Sequence, residues 1–187
     1  SNLQSETVEA VNEALDAGIF VVAAAGNNGQ MVNIKDVSIP ANIPGVIAVG
    51  ASTIDGRIWS NSSMGSNIDP YFNEERQFPN QKPEVTAPGV RLFSTASTEI
   101  TPAYAYSTGT SDSTVIVVGA LALILQIHGT EMRGEDGQFD SQEMNLVKSA
   151  LANSSLKSQD MGAIHSNKSG YGELNAEAWL EEISIEF

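Results

Sequence analysis

Residues 109–127 read Gly109-Thr110-Ser111-Asp112-Ser113-Thr114-Val115-Ile116-Val117-Val118-Gly119-Ala120-Leu121-Ala122-Leu123-Ile124-Leu125-Gln126-Ile127. A polar turn rich in hydroxyls runs straight into an almost unbroken apolar segment. Ser, Asp and Thr side chains can accept from the free N–H groups of a first helical turn, and Val115 to Leu125 is apolar on every face. The stretch therefore predicts a capped helix enclosed by a sheet and other helices. A serine at such a start sits at the positive end of the helix dipole, where a developing negative charge is stabilised. Standing alone, it reads as a helix cap.

Working outward from that helix, the N-terminal side carries half of a parallel α/β unit. Residues 4 to 16 place Val8, Val11 and Leu15 at helical spacing with Glu6, Glu9, Glu13 and Asp16 on the other faces, and Gly18 closes the helix. Ile19 to Ala25 predicts a strand buried on both sides, ended by Gly26-Asn27-Asn28-Gly29; Gly45 to Ala51 predicts a second. Asp55-Gly56 is a hairpin-type turn, and residues 60 to 82, polar and without periodicity, predict a long surface excursion. Pro83 to Ser94 reads as two short extended pieces around Pro88-Gly89, and Tyr104 to Ser107 as an extended entry to the helix. Beyond it come a charged loop from Gly129 to Asp140, a helix from Ser141 to Ala152 with a partial capping signature at Ser141 and Met144, a turn-rich link from Ser166 to Gly172, and a closing helix over 174–183.

The bulk properties narrow the function classes. With 187 residues, 41% of them hydrophobic, the chain can bury a substantial core as one domain or part of one. The run Val115 to Leu125 is shorter than the roughly 20 residues of a membrane span. A net charge of −14 and the lack of a basic patch argue against nucleic acid. The absence of cysteine removes disulfides, thiol catalysis and thiolate zinc sites.

A serine at a helix start, a glycine-flanked asparagine after a buried strand and a Pro-Gly turn together resemble the subtilases, the subtilisin-like serine peptidases. The matching pieces are Ala23-Ala24-Ala25-Gly26-Asn27-Asn28-Gly29, Pro44 to Ala51, Lys82-Pro83-Glu84-Val85-Thr86-Ala87-Pro88-Gly89-Val90, Gly109-Thr110-Ser111 with Gly119 to Leu125, and Gly170-Tyr171-Gly172-Glu173-Leu174-Asn175-Ala176. They run in family order from residue 8 to about 180. The resemblance implies an α/β, three-layer subtilisin-like fold with a mostly parallel sheet. Residues 1–187 would form a single partial catalytic domain, its C-terminal part, with the nucleophile at the N-terminus of the buried central helix.

The same resemblance assigns roles. Ser111 would attack a peptide carbonyl to give an acyl-enzyme, while the Asn27 side-chain amide and the Ser111 backbone N–H would hold the oxyanion. Alone, Asn27 would read as a turn former that tolerates left-handed geometry. Ala24, Ala25 and Gly26 would wall the pocket for the side chain preceding the scissile bond, Pro40 and Ala41 would border its far side, and the Ile39–Pro40 bond would be cis. In subtilases the Asp and His of the triad precede the serine, and no histidine precedes Ser111 here. His128-Gly129-Thr130-Glu131 resembles the family's histidine motif but lacks the second histidine, and His128 lies roughly 25 Å along the same helix at about 1.5 Å per residue. His128 therefore reads as structural and His165 as a surface residue.

The chain alone is accordingly expected to be inactive, needing an N-terminal part that brings Asp and His. A non-catalytic relative serving as scaffold or peptide-binding module is the alternative. The implied partners are a peptide or protein substrate and that N-terminal part; nucleic acid and membrane are not expected. The partial sheet should expose an apolar face or edge and make the chain self-associate. Resemblance alone favours a secreted protein. It also allows calcium in an intact domain, though no metal-binding set can be assigned from these residues. Around the serine the sequence departs from the usual Gly-Thr-Ser-x-Ala-x-Pro-His: Ser113 replaces alanine, Val115 proline and Ile116 histidine. Asp112 would oppose an oxyanion if its carboxylate faced the site.

Overall fold

In a computed structural model, residues 2–33, 36–70, 73–97, 99, 103–134, 137–157 and 164–186 are described. The elements in chain order are α1 (Asn2–Asp16), β1 (Val22–Ala24), β2 (Ile47–Ser52), β3 (Val85–Pro88), β4 (Val90–Thr95), β5 (Tyr104–Thr108), α2 (Thr110–Met132), α3 (Ser141–Ser154) and α4 (Ala176–Glu186). Strands β1, β2 and β3 form a parallel sheet in that order, with Val22 opposite Ile47 and Val49 opposite Val85. Strands β4 and β5 form a separate antiparallel pair leading into α2.

Because side chains alternate across a strand, β2 feeds two cores. Ile47 and Val49 join Val85, Ala87, Val117, Leu121, Ile124, Val147, Trp179 and Ile183 on the side of α2, α3 and α4. Val46 and Ala48 join Ala23, Ala25 and Ala41 beneath Val8, Val11 and Leu15 of α1. The result is three layers, α1, sheet, and α2–α3–α4, as the resemblance implies. Gly18, at φ 73°, ends α1: its N–H reaches Leu15 O and the Ile19 N–H reaches Ala14 O, a glycine-dependent helix stop.

Several expectations are corrected. The first strand spans only Val22–Ala24 rather than Ile19 to Ala25, because its pairing with β2 begins at Ile47 and the Ile19 N–H is spent on Ala14 O at the end of α1; Ile19 is exposed. Helix α2 is not enclosed on every face: Val115, Val118, Leu123 and Ile127 are exposed, while Val117, Leu121 and Ile124 meet the sheet. It also extends to Met132, into the stretch expected as a charged loop, and its 23 residues have the length and composition of a membrane span. Its packing against β1, β2 and β3 instead gives it the place of a core helix. An apolar groove of about 680 Å³ runs between β1 and α2, lined by Phe20, Val22, Val118, Leu121, Leu125 and Phe139.

The described residues between 60 and 82 follow the surface, as expected, with Met64, Ile68 and Phe78 exposed, but they are anchored to the core at Ser62, Ser63, Asp69, Arg76 and Lys82. Arg76 is buried, donating through both terminal nitrogens to Asp36 at 2.9 Å and further to Ser66 O and Asn42 O. Two ion-paired termini and two carbonyl acceptors tie the segment to the core without any hydrophobic periodicity. The cap of α3 lies one residue earlier than expected: Asp140 accepts from Gln142 N and Glu143 N, and the Glu143 carboxylate accepts from Asp140 N. The closing helix begins at Ala176, and Trp179 Nε1 donates to Val147 O, fastening α4 to α3.

A buried charge cluster joins β2, β3 and α3. Glu84 Oε1 accepts from Lys82 Nζ and Lys148 Nζ, each at 2.8 Å, and Oε2 accepts from Ala48 N at 2.8 Å. Lys82 also donates to Val46 O and Lys148 to Pro44 O. Two ammoniums share one carboxylate, and burial, only partly offset by Glu84, pushes Lys82 down to about 7 and lowers Lys148 as well.

Candidate active site

The turn after β1 and the start of α2 are locked together by Thr110. Its Oγ1 accepts from Gly26 N at 3.1 Å and donates to Asn27 Oδ1 at 2.9 Å, while Thr110 N donates to Asn27 Oδ1 at 3.0 Å. Since a backbone N–H must donate, the Asn27 atom it meets is the carbonyl oxygen, and the amide Nδ2 is left directed elsewhere. Gly26 adopts φ 108°, and a Cβ there would come within 2.4 Å of Ser38 Oγ, so only glycine fits. Asn28 N donates to Ser63 Oγ and Ser63 N to Gly26 O, bracing the turn from the other side.

Helix α2 begins without a side-chain cap. Ser113 is buried and spends its hydroxyl on Ala87 O at 2.8 Å, beside Gly89, where a Cβ would lie 2.1 Å from Ser113 Oγ. Ser113 thus pins the helix start to the β3–β4 junction, which explains why a hydroxyl is tolerated where the resemblance expects alanine. Gly109 N donates to Gly89 O at 2.8 Å. Val115, exposed at the helix surface, carries no such duty. Thr114 Oγ1 donates to Thr110 O at 2.7 Å.

Ser111 is exposed one residue into the helix, and its backbone N–H meets no acceptor among the described residues. The space over Gly109 is informative. Gly109 has an extended backbone, φ 171°, that any residue can adopt, and a Cβ would meet only ordinary contacts: Asn27 Nδ2 at 3.4 Å, Asp112 Oδ2 at 3.5 Å and Ser111 N at 3.7 Å. The fold does not need glycine there. Two N–H donors, one from a fixed amide side chain and one from a helix start, converge on a space that a methyl group would fill. Asp112 turns its Oδ2 to Ser107 Oγ of β5 at 3.0 Å and borders the same space.

The other expected residues are placed as follows. Ala24, Gly26 and Pro40 are half-buried and reach the surface; Ala25 and Ala41 are wholly inside the core under α1. Ala25 N donates to Val49 O and Ala25 O accepts from Ser38 N, so this residue backs the wall rather than facing out. The Ile39–Pro40 bond is cis. His128 is half-buried at the far end of α2, near Glu131 and Ser184, away from Ser111. His165 is only partly at the surface: half-buried in an open cleft beside Met64 and Gly65, its Nε2 donates to Pro83 O at 2.8 Å, its ring meets Tyr171 edge-on, and burial lowers its pKa, favouring the neutral ring. Among the described residues no three His, Asp or Glu side chains cluster as a metal site would require.

Sequence reasoning missed Thr110 as the clamp and Ser107 as the partner of Asp112. The signal for the first was present in Gly109-Thr110-Ser111, where a buried hydroxyl between two loops must find both a donor and an acceptor.

The sequence profile described as the subtilase family matches residues 1–172. Subtilisin NAT of Bacillus subtilis subsp. natto is 40% identical over 120 residues, 64% of this chain and 27% of that protein. An extracellular protease of Xanthomonas campestris pv. campestris is 35% identical over 127 residues, 66% of this chain and 19% of that protein. Among solved structures, the patellamide maturation protease PatA superposes with a TM-score of 0.67 at 26% identity over 95% of this chain and 56% of that one. The patellamide maturation protease PatG does so with 0.71 at 22% identity over 96% and 48%, a likeness of fold. The chain thus spans about a quarter of the length of the first of these curated relatives and about half of the solved chains.

Proposed function

The chain belongs to the subtilase family, and we propose that it is the nucleophile-bearing part of a serine endopeptidase that cleaves peptide bonds through an acyl-enzyme on Ser111. The observation carrying this reading is the convergence of Asn27 Nδ2 and Ser111 N on the empty space over Gly109, beside an exposed serine at a helix start. In the reaction the Ser111 hydroxyl adds to a peptide carbonyl, its proton passing to a histidine outside these 187 residues. The carbonyl oxygen becomes an oxyanion held by the two N–H donors. Collapse expels the amine, which takes the proton, and water then hydrolyses the ester by the same route. Thr110 keeps the Asn27 amide oriented, so the donor needs no reorganisation when charge develops.

On this reading the 187 residues alone are inactive, and the Asp and His come from a segment that docks along the open β1 edge and the exposed stripe of α2. The substrate is a peptide or protein, its residue before the scissile bond resting against Ala24 and Gly26, with Pro40 on the far side. Kinship with subtilisins and with a protein named an extracellular protease supports secretion. The second reading, a non-catalytic scaffold or peptide-binding module, is favoured by one observation: the Asp112 carboxylate borders the oxyanion space. A fluorophosphonate probe applied to the full-length protein separates them. A covalent adduct on Ser111, abolished in Ser111→Ala, supports the peptidase; no adduct under conditions that label a subtilisin sinks it in favour of the scaffold.

A further inference from the structure

We propose that Asp112 makes this site select peptides with lysine or arginine as the residue following the scissile bond; this rests on Ser111 being the nucleophile. Asp112 is the third residue of α2, where a carboxylate is favoured by the helix dipole alone, yet it does not cap the helix. Its Oδ2 instead accepts from Ser107 Oγ and faces the space over Gly109 that the oxyanion donors share. Its Oδ1 has no hydrogen-bond partner, and no lysine, arginine or histidine pairs with it, among the described residues. The cation closest in sequence to β5, Arg91 on β4, is held over the Tyr106 ring at 5.5 Å. A half-buried carboxylate left with a free oxygen at the mouth of an anion-holding site disfavours the transition state unless the substrate brings a positive charge.

The side of the site follows from helix geometry. Successive helical residues turn about 100°, so Asp112 lies about 200° around α2 from Thr110, whose side chain faces Gly26 and Asn27, and Ser111 stands between them. If the residue before the scissile bond rests on the Gly26 side, the one after it meets Asp112 and Ser107. A lysine ammonium or arginine guanidinium there would donate to Oδ1, a charge-assisted hydrogen bond, and the chain's net charge of −14 draws cationic peptides toward it.

The test uses the full-length protein and matched peptides carrying Lys, Met or Glu on each side of the scissile bond, with kcat/KM measured for wild type, Asp112→Asn and Asp112→Lys. We expect Lys over Met by about tenfold at the following position in wild type, the ratio falling to about one in Asp112→Asn and the preference turning to Glu in Asp112→Lys; tenfold corresponds to one such ion pair. A merely structural Asp112 would not reverse the charge preference. If Ser111 is labelled by the fluorophosphonate but the Lys/Met ratio is indifferent to residue 112, or the effect appears only at the preceding position, this proposal falls while the peptidase reading stands. If neither labelling nor cleavage occurs, both fall together.

Discussion

Glu84→Gln should expose how much of the fold rests on one buried carboxylate. Glu84 Oε1 takes the ammoniums of Lys82 and Lys148, and Oε2 takes the amide of Ala48 on the central strand. Removing one partner of a buried ion pair costs about 3–5 kcal/mol. Glutamine keeps one acceptor oxygen, and a lysine can shed its proton, so we expect about 3 kcal/mol at pH 7. Each lysine has a folded-state pKa below its unfolded value, so between about 7 and the ordinary 10.5 the unfolded chain binds more protons. Stability therefore rises with pH across that window. Without the carboxylate both pKa values fall further, stability climbs more steeply with pH, and the cost of the substitution shrinks by pH 9. Urea unfolding of the intact protein, followed by tryptophan fluorescence at both pH values, measures this. With a slope near ~2 kcal/mol per molar urea, the midpoint at pH 7 should fall by about 1.5 M. A loss under about 1 kcal/mol at pH 7, or a cost that grows toward pH 9, would refute the shared-carboxylate reasoning.

Three further outcomes bear on the site and the open face. Gly109→Ala should change stability by no more than about 1 kcal/mol yet lower kcat/KM at least a hundredfold, because the methyl fills the space in which we propose the oxyanion sits; unimpaired turnover would show that no substrate atom enters it. Asn27→Ala should cost about 10²–10³ in kcat, and Asn27→Asp, which keeps the acceptor for Thr110, should recover none of it; recovery would mean that the Thr110 contact, not the Nδ2 donor, is what matters. The 187-residue chain by itself should associate through the β1 edge and the Val115, Val118, Leu123 and Ile127 stripe, so light scattering showing a strict monomer would contradict an uncovered apolar face.

Much of the molecule was legible because its signals are local. The central helix, the extended runs of β2 and β3, the Pro-Gly corner and the Asp55-Gly56 turn each depend on a few adjacent residues, and Gly56 indeed adopts φ 79°. The anchoring of the stretch around Arg76 was not legible, because what buries that side chain is its pairing with Asp36, forty positions away, which leaves no periodicity to read. The buried Lys82, Glu84 and Lys148 were hidden for the same reason: charged residues in a polar-looking stretch give no sign of burial until three elements close over them. The contacts of His165 were not legible because its partners, Pro83 O and Tyr171, come from two separate segments.

By itself the sequence determined the family, the layered α/β order and the candidate pair Ser111 and Asn27, since motif order and hydrophobic patterning survive without coordinates. Only the tertiary structure decided that Thr110 fixes the Asn27 amide, that the Asn27 and Ser111 donors meet over Gly109, and that Asp112 stands at the same space joined to Ser107. Those facts depend on bringing residues 26–27 and 107–112, some eighty positions apart, within hydrogen-bond distance. That closure is a property of the packed sheet and helix, which no single stretch of the chain carries.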